Sequence, residues 1–339
     1  MDQSFDKPYS SWTSRPLDKK PTGLGIAHSK IILMGEHAVV YDHPAIAIPF
    51  KTCQVQVKVQ PSAFSYTTID CPYYKGRFEQ APDHLNNLKM ALQLTLDSKQ
   101  LPKPPLHIEI LSEIPQERGM GSSAAVSVAL IRAVCDFYGK TINDYHLRMI
   151  TNEAEVIAHQ STSGIDTLVT SSNRSIIYRK SQQARDFDLD LKAYLVVADS
   201  GQIGQTKLAV NHVAQLRQSK ANFVNGAMET IGSFVRQAFL AIRKKDPFEL
   251  GRLMTYNHYY LNQLGVSNAS LDHIVNAAWL AGALGAKLTG GGMGGCVIAL
   301  AKDQAHAQMI AESMEEAGAE KTWLLNLSKE EQAKESHHD

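Results

Sequence analysis

The sequence predicts an α+β fold divided into two domains, and three observations carry that prediction. Its 339 residues are too many for one comfortable hydrophobic core. Strand-like and helix-like segments mix without a regular βαβ rhythm, which favours two α+β sandwiches over a doubly wound parallel sheet. Near the middle, Tyr178 to Asp190 is polar and acidic, with Asp186, Asp188 and Asp190 alternating, as in a solvated strand or connector. That run sets the expected organisation: an N-terminal extension over 1–20, one domain over 21–188, a second over 189–330, and a polar tail over 331–339.

The elements follow in order. Ile31–Leu33 and Ala45–Pro49 are short apolar runs around a polar turn, and Val55, Val57 and Val59 alternate with polar residues as in a half-solvated strand. Leu85, Leu88, Leu92 and Leu96 recur at helical spacing. Leu106–Ile114 reads as a strand running into a glycine turn, and Ser122–Tyr138 as a largely buried helix stopped by Gly139. Asn143 or Asp144 can cap a further helix through Ala158. Beyond the acidic connector, Ala193–Ala198 is a buried strand, followed by three helical stretches. One of these opens with Asp246, Pro247 and Glu249 as N-cap, N1 and N3. Lys287–Gly295 reads as a second glycine-rich turn feeding the strand Cys296–Leu300, and a helix near Gln304–Ala317 and a strand at Thr322–Leu327 complete the chain.

Bulk properties exclude several functions. Lys+Arg and Asp+Glu balance at 34 each, so no global field recruits nucleic acid or an anionic membrane. Cys53, Cys71, Cys135 and Cys296 lack CxxC or CxxxH spacing and read as reduced thiols. The first twenty residues lack the apolar run of a signal peptide, and no later segment has eighteen uninterrupted apolar residues. The expected compartment is the cytoplasm. No GxGxxG sits between a strand and a helix, which argues against a dehydrogenase.

Four segments could carry chemistry. In Glu113–Ala125, Gly119 and Gly121 can take positive φ, and Ser122 and Ser123 place hydroxyls where a helix begins. A helix start presents unsatisfied N–H groups and partial positive charge, which suits a phosphate. The same residues also read as a tight turn with serine caps. No lysine follows the second glycine, so this is not a P-loop of the GxxxxGK[ST] kind. In Ala27–Tyr41, Lys30, Glu36 and His37 flank an apolar run, though both ends also read as surface and turn residues. Glu155 and His159 lie i, i+4 on one helix face. A zinc site there lacks HExxH and an evident third ligand. The following Ser163-Gly164-Ile165-Asp166 turn delivers a carboxylate from a loop, or simply caps a turn. In Leu288–Gly295, five glycines at six positions imply unusual torsions or close backbone approach, with a flexible loop as the alternative. Each segment is ambiguous alone. Together they fit phosphoryl transfer, which needs backbone donors for phosphates, magnesium ligands, a lysine and an acid near the acceptor hydroxyl.

In that order the segments Ala27–Tyr41, Ile114–Ala125, Glu155–Asp166 and Lys287–Cys296 resemble the GHMP kinases, across roughly residues 23 to 300. The resemblance implies a two-domain GHMP-kinase-like fold with the active-site cleft between the domains. It implies Asp166 as catalytic base, with Lys30 beside it favouring ionisation of the acceptor. ATP, the co-substrate, would be held by Pro115, Gly119, Met120, Gly121, Ser122, Ser123 and Ala124, and Mg²⁺ by Ser123 and Glu155. Glu36, His37, Thr206 and Gly291 would approach the second substrate, with His159 as structural support. Gly35–Tyr41 resembles the members that act on mevalonate, so the implied acceptor is its 5-hydroxyl. A sister kinase acting on phosphomevalonate or another small hydroxy acid is the alternative, and a non-catalytic ligand sensor a further one. Silent relatives would be expected to lose Lys30, Glu155 or Asp166, and all three are present. The resemblance also allows a homodimer. His28-Ser29, Asp42 and Met293 depart from the family pattern without removing a chemical group.

Overall fold

The computed structural model describes residues 22–159 and 164–329, with the side chains of 157–159 left out of the account. The expected N-terminal extension, the polar tail and the Gln160–Ser163 part of the turn before Asp166 lie outside the described residues.

Among the described residues the strands form two sheets. The first contains β1 (Gly23–Met34), β2 (Ala45–Pro61), β3 (Thr68–Cys71), β4 (Tyr74–Arg77), β5 (Leu106–Ser112), β6 (Ser175–Tyr178) and β7 (Arg185–Phe187). Its order is β4-β3-β5-β2-β6-β7, with β1 also paired to β2. The second contains β8 (Tyr194–Asp199), β9 (Gly285–Thr289), β10 (Cys296–Ala301) and β11 (Lys321–Asn326), in the order β11-β8-β10-β9. All pairings are antiparallel except β3 with β5. This is the mixed α and β architecture expected.

Helices α1 (Asn86–Ser98), α2 (Ser122–Phe137), α3 (Asp144–His159) and the short α4 (Ile165–Thr170) go with the first sheet. Leu88, Ala91, Leu92 and Leu96 form the buried stripe of α1, as their spacing requires. The α2 helix lies directly on β1 because glycine leaves room for it. A Cβ on Gly25 would come within 2.0 Å of the Ala129 carbonyl oxygen. Around the second sheet run α5 (Thr206–Ser219), α6 (Ala221–Arg243), α7 (Pro247–Gln263), α8 (Ala269–Leu280) and α9 (Gln304–Glu316). Asp246 caps α7, its side chain accepting from the Glu249 N–H at 3.0 Å, with Pro247 in the first turn. The two sheets share one apolar core, in which Phe50 of β2 meets Trp323 of β11 edge to face at 6.3 Å. No helix among the described residues is long and apolar enough to cross a membrane.

Four expectations need correction. The apolar runs at Ala45–Pro49 and Val55–Val59 belong to one seventeen-residue strand, which stays continuous because β1 pairs along its length across a bulge at His28/Ser29. Four helices, not three, lie between β8 and β9. The extra break comes at Lys220, whose φ −135°, ψ 52° leaves the helical region without a glycine or proline to signal it. Gly285–Thr289 is a fully buried strand, so the second glycine turn begins at Gly290. Finally, Asp166 sits in the first turn of α4 and not on a loop.

Candidate active site

Strand β1 carries Lys30 into the molecule. Its backbone N–H donates to the Met120 carbonyl at 3.0 Å, tying the strand to the first glycine turn. Its side chain, 3% exposed, donates from Nζ to the Gly119 carbonyl at 2.9 Å and lies 3.0 Å from Asp166 Oδ1. Asp166 is 39% exposed, so one carboxylate faces both the lysine and open space. Gly121, at φ 73°, covers the lysine stem, and a Cβ there would fall 3.0 Å from Lys30 Cγ. The ammonium therefore has little freedom and two acceptors.

The turn itself ends on the N-terminus of α2. Gly121 precedes the sixteen-residue helix in the left-handed conformation and offers no side-chain cap, leaving the first-turn N–H groups available to an anion. Met120 and Ala124 are buried and present only backbone to this space, while Pro115, Ser122 and Ser123 are half-buried around it.

Ser123 and Glu155 come together across two helices. Ser123 Oγ donates to Glu155 Oε1 at 2.8 Å. Asn87 of α1, absent from the sequence-based set, joins them: its Nδ2 donates to Ser123 Oγ at 3.0 Å and lies 3.4 Å from Glu155 Oε1. Asn87 Oδ1 is buried with no hydrogen-bond partner among the described residues. A hydroxyl and a carboxylate form a hard-oxygen pair that suits Mg²⁺ completed by water and phosphate, and the Asn87 amide holds the two together. Among the described residues no three His, Cys, Asp or Glu side chains cluster as a metal cage. The His159 side chain lies outside the described residues.

The second glycine turn closes the space from the other sheet. Gly290 abuts Gly119, and a Cβ on it would lie 3.0 Å from the Gly119 Cα. Gly291 packs on Thr206, the first residue of α5, with room for no Cβ: the nearest atom would be Thr206 Oγ1 at 2.4 Å. His37 Nε2 lies 2.8 Å from the Gly291 carbonyl and must carry its proton there, leaving Nδ1 as an acceptor. Burial pushes the His37 pKa below its ordinary value, so the ring is neutral.

Glu36, which precedes His37, meets a partner from the second sheet. Its side chain is fully buried, as is that of Lys287 on β9, and the two form an ion pair. Lys287 Nζ also donates to the Leu288 carbonyl at 2.6 Å. Burial raises the Glu36 pKa and lowers that of Lys287, each against the partner's attraction. Only one oxygen of the Glu36 carboxylate meets Lys287: Oε2 is buried with no hydrogen-bond partner among the described residues. Lys287 could have been suspected from the sequence, because a lysine among Gly-Ala and Leu-Thr has no solvent face on a buried strand. Asn87 carries a fainter signal, a polar residue beside the leucine stripe of α1.

Comparison with known proteins shows the family. Residues 86–173 match the family described as GHMP kinases N terminal domain, and residues 238–320 match GHMP kinases C terminal. The mevalonate kinase of Pyrococcus furiosus is 33% identical over 299 residues, covering 82% of this chain and 89% of the relative. The crystal structure of L. major mevalonate kinase in complex with R-mevalonate superimposes with a TM-score of 0.78 at 28% identity, covering 93% of this chain and 99% of that one. The mevalonate kinase from methicillin-resistant Staphylococcus aureus superimposes at 0.70 with 33% identity, covering 91% and 100%.

Proposed function

Because this chain belongs to the GHMP kinase family, we propose that it transfers the γ-phosphoryl group of ATP to the 5-hydroxyl of mevalonate, giving 5-phosphomevalonate and ADP. The cleft lies between a domain over 21–188 and one over 189–330. In the reaction a P–O bond forms to the alcohol oxygen, the bond to the ADP oxygen breaks, and the alcohol proton passes to Asp166. Lys30, 3.0 Å from that carboxylate, favours the alkoxide character that develops on the acceptor.

The phosphates rest against Gly119, Met120, Gly121, Ser122, Ser123 and Ala124, whose N–H groups begin α2, with Pro115 at the edge. Ser123 and Glu155 would hold Mg²⁺, with Asn87 orienting both; when bound, the ion offsets phosphate charge. Glu36, His37, Thr206 and Gly291 border the acceptor, and the free Nδ1 of His37 can accept a hydrogen bond from it. Positioning and electrostatics supply most of the acceleration.

One observation carries this reading: the Asp166 carboxylate and the Gly119 carbonyl share the same ammonium, so the acid stands at the mouth of the glycine turn. ADP release measured with a panel of acceptors tests it. R-Mevalonate should drive turnover, and phosphomevalonate and other small hydroxy acids should not. Faster turnover with phosphomevalonate, or none with mevalonate, would overturn it.

A further inference from the structure

The first glycine turn is held by the opposite half of the molecule as firmly as by its own. Its inner part belongs to the first sheet through Lys30 and the buried Met120. Its outer part, Glu117 to Gly119, is docked on the segments that follow β8 and precede β10. The Gly204 N–H donates to the Glu117 carbonyl at 2.6 Å. Gly204 and Gly295 admit this approach, since a Cβ on them would fall 3.0 Å from the Glu117 oxygen and 2.8 Å from the Arg118 oxygen. Glu117 itself is held at φ 53°, a conformation that a residue with a side chain rarely adopts.

Arg118 is the side chain that fastens this contact. Its Nε donates to Asp199 Oδ1 at 2.7 Å and its Nη2 to the Gly201 carbonyl at 3.0 Å. The side chains of Arg118 and Asp199 are 13% and 6% exposed. Asp199 Oδ1 also accepts the Gly201 N–H at 2.9 Å, so one carboxylate orders both the end of β8 and the arginine. The side-chain hydrogen bonds of Arg118 and Asp199 go to each other and to Gln116 and Gly201, while Lys30 meets Gly119 and Asp166.

We propose that Arg118 and Asp199 are positioning residues for the nucleotide, a clamp that sets the torsions of the phosphate turn from the far side of the cleft. The cradle for ATP is then complete only when the two halves are docked. Loosening the clamp costs some stability and leaves the acceptor pocket in place, but frees Glu117 to relax and pulls Gly119 from its place against Gly290 and Lys30. ATP affinity should suffer first. This rests on the reading of Gly119–Ser123 as the phosphate cradle.

The test is a double-mutant cycle of Arg118→Met and Asp199→Asn in the full chain, reading the KM for ATP, the KM for mevalonate, kcat and the melting temperature. Asparagine keeps an acceptor for the Gly201 N–H. Each single variant should raise the KM for ATP about tenfold, the size of one charge-assisted hydrogen bond, and change the KM for mevalonate by less than about twofold. The double variant should be no worse than the worse single one, because the two act as a unit. Arg118→Lys keeps the charge, cannot reach Asp199 and Gly201 together, and should fall between; it serves also if Arg118→Met fails to fold. Additive effects, an unchanged KM for ATP, or equal increases for both substrates would overturn the clamp. Absence of mevalonate-dependent ADP release in the unmodified chain would instead sink the parent reading.

Discussion

Two lysine–carboxylate pairs, Lys30–Asp166 and Lys287–Glu36, share their chemistry and differ in exposure. Lys30 and Asp166 meet at 3.0 Å with the acid 39% exposed. Lys287 and Glu36 meet with both side chains wholly buried. The first lysine also reaches the carbonyl of the phosphate turn, while the second spends a further donor on its neighbour's carbonyl. Chemical identity therefore does not separate the pair proposed to react from the sealed one. Access does. The base proposed to take a proton from the acceptor must be reachable by it, and Asp166 is the more open of the two carboxylates.

The largest effect expected from breaking this contrast is on Asp166. Replacing it with asparagine removes the base and keeps the shape, and kcat should fall by about 10³-fold or more, the upper part of the range for general-base catalysis. ATP binding should survive, measured by equilibrium titration with a non-hydrolysable analogue. Near-normal turnover would remove Asp166 from the base position and with it the distinction drawn here.

The next effect tests the sealed pair. Lys287→Met strands the Glu36 carboxylate in a dry interior, which costs about 3–5 kcal/mol when one partner of a buried ion pair is lost. Thermal and denaturant melts should show that loss. Adding Glu36→Gln should recover much of it, because no buried charge is then left uncompensated. The same chemical change at the cleft, Lys30→Met, should give the reverse pattern. There the abandoned carboxylate is partly hydrated, so stability should shift little, while kcat should fall about 10²-fold with ATP affinity less affected. If Lys30→Met melted like Lys287→Met, or Lys287→Met lost turnover without losing stability, access would not be the dividing variable.

The sequence made one member of this contrast legible and hid the other, for a physical reason. Lys30, Gly119, Ser123 and Asp166 sit in short stretches that are ambiguous alone but whose order resembles the GHMP kinases, and that resemblance implies their roles. Glu36 stands two residues before a small turn and looks as available as His37. Nothing local says that Lys287, 251 positions later, will close over it. Asn87 and Asp199 were missed for the same reason, acting on residues 36 and 81 positions away. Among the elements, helices with caps and leucine stripes were readable, as at α1 and α7. The strand Gly285–Thr289 was not, because its pattern is uniformly buried and runs without a break into glycines. The α5–α6 break was invisible because a torsion at Lys220, not a residue type, makes it.

The smallest effect sharpens the contrast through pH. His258 of α7 braces the strand that carries Lys287, its Nδ1 accepting the Leu288 N–H at 3.3 Å, while Nε2 lies 3.3 Å from Asp272 Oδ1. Burial lowers its pKa from 6.5 to about 4, against the attraction of Asp272. In the unfolded chain the ring takes up a proton near its ordinary value, whereas in the native state it resists until the lower one. Its contribution to stability is therefore intact above about 6.5 and drains away as the pH falls towards about 4. Over that window the slope of unfolding free energy against pH should be shallower in His258→Asn than in the parent chain, by up to about one proton. Equilibrium unfolding at a series of pH values measures it. The loss should accompany loosening of β9, since the ring accepts from the Leu288 N–H of that strand. An identical slope in the variant would mean that β9 draws none of its stability from this ring.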